Sequence, residues 1–173
     1  MIVATFGGVT IGLLILGRFL TDWWPGIKTF RSKPQEAAAG LLPFLLAWCY
    51  GALAILGVGG LIGWAADTTL WITNWLGDAA LVWGVGGQVG TTGSRPPFLP
   101  LTQQGGGIVL ILTGVLVAAI KRKKTPDYMK RELKLGAWCG VGLATSAGVA
   151  GFAAVPLAQG VNAVGEQLYG VLA

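Results

Sequence analysis

The side chains able to do acid–base, nucleophilic or metal chemistry here are few. They are seven carboxylates (Asp22, Glu36, Asp67, Asp78, Asp127, Glu132 and Glu166) and two cysteines (Cys49 and Cys139), with no histidine. Without imidazole, the commonest general base and metal ligand is missing. The carboxylates are scattered along the chain and no set of them has metal-ligand spacing. Asp67 and Asp78 lie about three turns apart on one side of an expected helix, where solvation is the simplest expectation. The two cysteines fall in different apolar stretches, in which a thiol serves as a small packing residue. Glycines 84, 86, 87 and 90 do not make a nucleotide site, because the dinucleotide fingerprint needs a strand before and a helix after it. No catalytic, cofactor-binding or metal-ligating residue is assigned, no cofactor is expected, and the chain is read as a non-enzyme.

Apolar sequence surrounds these groups. Of 173 residues, 54% are hydrophobic and 11% charged, with a mean hydropathy of +0.69, whereas soluble domains carry about 25% charged residues. That balance excludes a soluble globule and a disordered chain, and two cysteines exclude a disulfide scaffold. The predicted fold class is all-α: a polytopic membrane protein with four transmembrane helices and an amphipathic surface helix in the outer loop, forming one membrane domain over 1–173. A hydrocarbon core about 30 Å thick needs roughly 20 apolar helical residues. The spans that meet this are about 2–20, 41–64, 105–120 and 135–158, whose interiors lack charged residues. Hydroxyls of Thr10, Thr113, Thr145 and Ser146 can bond back to the preceding turn. A fifth crossing through Leu70–Gly90 is disfavoured by Asn74, Asp78 and Gln88, and by the charge distribution below. The N-terminal stretch lacks the basic start and cleavage site of a secretory signal and is expected to be retained.

Basic residues cluster in two connections. Arg18, Lys28, Arg31 and Lys33 follow the first span; Lys121, Arg122, Lys123, Lys124, Lys130, Arg131 and Lys134 lie between the third and fourth; the outer connection holds Arg95 alone. Retention of Lys and Arg on the cytoplasmic side makes 21–40 and 121–134 the inner loops and 65–104 the outer loop. Both termini are then expected outside the cytoplasmic (inner) membrane. The seven basic residues of the second inner loop are read as contacts to anionic headgroups, and nucleic acid is not an expected partner. Thr125-Pro126-Asp127 has the pattern of a helix start, so the fourth span is expected to belong to one long helix from near Pro126 to near Pro156. In the outer loop, Trp71, Ile72, Trp75, Leu76, Ala79, Val82 and Trp83 share one side of a helical wheel, with Asp67, Asn74 and Asp78 at its edge. Such a helix lies in the outer interface or packs on the outer ends of the bundle. Trp23, Trp24, Trp71, Trp75 and Trp83 are read as interfacial anchors. The rest of the outer loop, with Pro96, Pro97 and Pro100, cannot continue the helix, and Phe98, Leu99 and Leu101 are its apolar side chains.

Small residues recur at four-residue spacing within the spans: Gly8 with Gly12, Gly59 with Gly63, Gly136 with Gly140, Ala144 with Gly148, and Ala147 with Gly151. Helices in lipid gain little from hydrophobicity, so close backbone approach is a main source of their affinity. These residues are read as helix-packing positions, some of them facing other copies or other membrane subunits. No ionisable residue sits mid-span, and the one strong breaker, Pro43, lies near a first turn, so a coupled transporter is disfavoured. The expected function is that of an integral membrane subunit, structural or pore-forming, which self-associates or packs into a larger assembly. The alternatives are an accessory subunit of a membrane enzyme, secretion or conjugation complex, and a holin-like lytic pore. In composition alone the chain resembles small glycine-rich multi-span proteins of bacterial plasmids and phages, and that resemblance assigns no residue.

Overall fold

The computed structural model describes residues 4–30, 33–57, 60–88, 90, 101–144, 146 and 149–172. Among them are six α-helices: α1 (Phe6–Phe30), α2 (Pro34–Leu56), α3 (Gly60–Ala80), α4 (Gln103–Lys121), α5 (Asp127–Ala144) and α6 (Val149–Leu172). A π-helical turn, Leu81–Val85, prolongs α3, and no strand occurs among the described residues. Among the described residues, three segments are long and apolar enough to cross a membrane: Phe6–Gly26, Ala38–Leu56 and Gln103–Lys121.

Local chemistry explains most of the helix starts. The Thr5 hydroxyl accepts the Gly8 N–H at 3.1 Å ahead of α1, and the Thr102 hydroxyl accepts the Gly105 N–H at 3.1 Å ahead of α4. Each satisfies one orphan donor of a first turn. Proline heads α2 at Pro34, where its missing N–H costs nothing. At the expected start after Thr125, the Lys130 N–H donates to the Pro126 carbonyl, and the Lys130 ammonium pairs with Asp127 at 3.0 Å.

Two of the expected long helices are divided. The helix expected over 41–64 ends at Leu56: Gly57 is extended and Gly60 takes a φ of +71°, open to glycine without a Cβ penalty, so α3 leaves in a new direction. The helix expected from near Pro126 to near Pro156 ends at Ala144. There Ser146 donates both its backbone N–H (3.0 Å) and its hydroxyl (2.7 Å) to the Leu143 carbonyl, closing the helix, and α6 carries Pro156 in its interior. Conversely, α1 runs on through Pro25 to Phe30, well past the expected limit at residue 20.

The centre of the molecule is formed by α1, α2 and α5. The closest approaches of α5 to α2 place Gly136 on the Phe44 carbonyl and Gly140 on the Trp48 carbonyl, so the two helices run parallel with little between their backbones. α1 runs antiparallel to both. Phe19 stacks on Phe44 with ring centroids 3.9 Å apart, Trp23 lies beside Gly40, and the Cys139 thiol donates to the Gly12 carbonyl at 3.3 Å. Phe44, Cys139 and Leu143 are fully enclosed in this seam.

α3 packs along the sides of α1 and α5. The face it turns inward is Gly63, Ala66, Leu70, Thr73, Asn74 and Gly77. Gly77 meets the Gly7 backbone, and the Asn74 amide oxygen accepts the Thr5 N–H at 3.1 Å. The tryptophan side, with Trp64, Trp71 and Trp75, is exposed. Its polarity is thus inverted relative to a helix packed from water, as fits a surrounding medium of lipid. The expectation that Asp78 is solvated does not hold for the whole group: its Oδ1 is buried and has no hydrogen-bond partner.

Candidate functional site

With no group of three or more metal-ligating side chains among the described residues, the features that merit a functional reading are surfaces between helices. α4 is sparsely covered by the chain itself: Gly105 and Val109 alone are buried in it. Its Leu110, Ile111 and Val115 stand at least 60% exposed. Its fixed points lie at its first turns, where Asn162 of α6 accepts both the backbone N–H (3.0 Å) and the hydroxyl (3.2 Å) of Thr102, and Gly165 lies on Gln104.

Between α3 and α4 a groove remains open, with α2 and α5 as its floor. It consists of two cavities of about 400 and 500 Å³ that share Ala54, Leu61, Ile62 and Thr113. The hydroxyls along it are already committed. Thr113 donates to the Val109 carbonyl at 2.7 Å, so the Tyr50 hydroxyl, 3.1 Å away, is the donor between the two and ties α2 to α4. Likewise the Trp138 indole N–H donates to the Thr73 hydroxyl, which donates to the Thr69 carbonyl at 2.7 Å. Every donor so spent leaves the walls apolar, and Lys134 at one end is the sole charged side chain lining either cavity. The groove can accept hydrocarbon or a helix.

The helix-packing residues read from the sequence fall inside the chain. A methyl group at Gly8 would strike the Asn74 side chain, one at Gly12 would lie 2.8 Å from Leu143, one at Gly63 3.0 Å from the Gly57 carbonyl, and ones at Gly136 and Gly140 on α2 carbonyls. Ala144 is fully buried. The expectation that this surface faces other copies therefore does not extend to these positions. Gly59, Ala147 and Gly148 lie outside the described residues, as do Arg95, Pro96, Pro97, Phe98, Leu99 and Pro100. The open glycines are others: Gly17, Gly106, Gly114 and Gly160 have nothing within 4 Å of a Cβ position.

Of the anchors, Trp24, Trp71, Trp75 and Trp83 are exposed and Trp23 is half-buried. Lys121, Arg122, Lys123, Lys124, Arg131 and Lys134 are exposed, and Lys130 is half-buried beside Asp127. Gly86 closes the π-helical turn with a φ of +70°, its N–H bonded to the Val82 carbonyl, and Gly90 accepts the Phe6 N–H at 3.0 Å. This glycine cluster thus ends a helix and ties it to α1. Sequence reasoning passed over Asn162, whose signal was available: a lone amide in an apolar helix is costly unless bonded to a neighbour.

These features define an all-helical chain with at least three segments fit to cross a membrane and an exposed apolar surface beside them. Compared with protein-family models, curated proteins and solved structures, the chain has no match.

Proposed function

We propose that this protein is a non-enzymatic, multi-pass subunit of the inner membrane that self-associates or packs into a larger membrane assembly, as a scaffold or as one wall of a pore. The observation that carries this reading is the state of α4: an apolar helix with two buried residues, flanked by an apolar groove in which the hydroxyls are already paired. Helices of this kind gain affinity by close packing with another helix, and Gly106 and Gly114 leave room for it on the uncovered side. Four crossings, with both termini outside, agree with the parallel course of α2 and α5. They agree also with the meeting of Arg18 and Arg131 at one end of the bundle.

Disulfide trapping in native membranes tests the proposal. With Cys49 and Cys139 replaced by alanine, single cysteines are placed along α4 at Gly106, Leu110, Ile111, Gly114 and Val117. Self-association predicts cross-linked pairs at Gly106, Leu110, Gly114 or their neighbours, recurring every third or fourth residue; a larger assembly predicts an adduct of higher mass with the same period. The absence of any adduct at all five positions overturns both.

A further inference from the structure

Where α1 ends and α2 and α5 begin, the bundle holds a third cavity, of about 290 Å³, unlike the apolar groove. It is lined by Arg18, Asp22 and Trp23 of α1, Tyr128, Arg131 and Glu132 of α5, and an apolar floor that includes Ile15, Phe19 and Leu135. Two guanidiniums and two carboxylates face one space. Arg18 and Asp22 form a loose pair at 3.8 Å, both well exposed. Arg131 has no ion-pair partner among the described residues. Glu132 has one oxygen, Oε2, buried without any hydrogen bond, and burial pushes its carboxyl up from the ordinary value. A buried acceptor without a partner, in a cavity it shares with an unpaired guanidinium, suits a ligand that carries both a donor and an anion.

We infer that this cavity binds the headgroup of a zwitterionic phospholipid bearing a primary ammonium, with the phosphate held by Arg18 and Arg131, the ammonium by Glu132, and the acyl chains running over Ile15, Phe19 and Leu135. Three observations point to this chemistry. The formal charges in the cavity cancel, which suits a neutral zwitterion better than an anion. Its volume lies at the lower limit for a ligand pocket, enough for a headgroup and too little for a whole lipid. It lies toward one end of the bundle, in the later part of the apolar segment of α1 that stops at Gly26 and beside the start of that of α2 at Ala38, and it is lined by Trp23 and Tyr128, residue types favoured near headgroups. Arginine supplies the planar fork that phosphate oxygens prefer. The inference concerns a different face from α4 and does not depend on self-association.

Native mass spectrometry of the full chain, released from mixed micelles holding equal amounts of phosphatidylethanolamine, phosphatidylcholine and phosphatidylglycerol, is the test. The wild type is expected to retain phosphatidylethanolamine in preference to both others. Phosphatidylcholine has the same charges but no ammonium N–H to offer Glu132, and phosphatidylglycerol has no cation. Glu132→Gln is expected to lower phosphatidylethanolamine retention by about tenfold, the value of one charge-assisted hydrogen bond, while phosphatidylglycerol retention holds or rises. Arg18→Gln with Arg131→Gln is expected to reduce all three. Equal retention of the three lipids by the wild type, or an unchanged preference in Glu132→Gln, overturns the assignment. Capture of O-phosphoethanolamine as tightly as the whole lipid would show that the acyl chains over Ile15, Phe19 and Leu135 contribute nothing, and overturns the lipid assignment in favour of a soluble ligand. Because the lipid comparison uses the unaltered chain, a variant that fails to fold leaves it intact.

Discussion

The seam between α2 and α5 makes a prediction that separates packing within one chain from packing between copies. An added methyl at Gly136 falls on the Phe44 carbonyl oxygen, 3.0 Å from the Ala47 Cβ and 3.2 Å from the Phe44 carbonyl carbon. Two of these three neighbours are backbone atoms, so relief requires the helices to part. At Gly160, exposed in α6, the same methyl meets nothing within 4 Å. Each Gly→Ala change gains about 1 kcal/mol of helix propensity. Only Gly136→Ala also incurs overpacking, which costs about 1–3 kcal/mol. Because the propensity gain is common to both, the difference between the variants isolates the seam: Gly160→Ala should match or exceed the wild type, and Gly136→Ala should lie below Gly160→Ala by about 1–3 kcal/mol. Unfolding in mixed micelles titrated with a denaturing detergent, followed by the fluorescence of the eight tryptophans, reads that gap. Particle mass in mild detergent, measured in parallel, should be the same for both variants. Equal midpoints, or a Gly136→Ala chain of wild-type stability that loses only its oligomeric mass, would refute the seam as drawn.

Three further outcomes follow from other contacts. Trp138→Phe removes the donor to Thr73 while the Thr73 hydroxyl keeps its bond to the Thr69 carbonyl. It should cost about 0.5–1.5 kcal/mol, and Thr73→Val, which strands the indole N–H, should cost more, about 1–3 kcal/mol; a double-mutant cycle showing no coupling would exclude the bond. For Glu132, burial raises the carboxyl above its ordinary value, so in lipid-free micelles the folded chain holds its proton to higher pH than the unfolded chain. By linkage, this contribution is greatest below the unfolded value and declines as pH rises through it. Glu132→Gln should flatten that decline, which begins at the ordinary carboxylate value and ends at the raised folded one, and an unchanged slope in the unfolding midpoints would count against the burial. Finally, on the cysteine-free background, Lys123→Cys should be labelled by an impermeant maleimide only after the cytoplasmic side is opened, whereas Gly170→Cys should be labelled in intact cells; the reverse pattern would invert the topology.

The helix start at Thr125-Pro126-Asp127 was legible, because it acts through its own side chains and first turn, which sequence displays directly. The start of α2 was not: the helix begins at Pro34, so Pro43, expected near a first turn, lies in its interior. The stops after Leu56 and Ala144 were not, because glycine and serine in an apolar run serve equally well inside a membrane helix or at its end. The backbone turn at Gly60 and the doubly bonded Leu143 carbonyl settle which. For α3, the tryptophan stripe was visible, but not the direction it would take: Trp71 and Trp75 stay exposed while Thr73 and Asn74 turn inward. The small-residue pairs were visible too, while their partners, Phe44 and Trp48 on a helix about 90 residues earlier, were not, since spacing specifies a close approach without naming what approaches. The cavity at the ends of α1 and α5 draws Arg18, Asp22, Arg131 and Glu132 from segments that only the fold brings together.

The parallel pairing of α2 with α5 also sets an order of events during synthesis. α2 is complete at Leu56, yet the helix that covers Ala47, Gly51 and Ala52 begins only at Asp127. At about 5–20 residues per second, some 70 residues of intervening chain amount to a wait of roughly 4–14 s. Over that interval the nascent hairpin of α1 and α2 is held by the Phe19–Phe44 stack, with a bare strip of small side chains turned toward lipid or an insertion chaperone. Ribosome stalling or premature termination before Asp127 would strand the polypeptide with that strip uncovered.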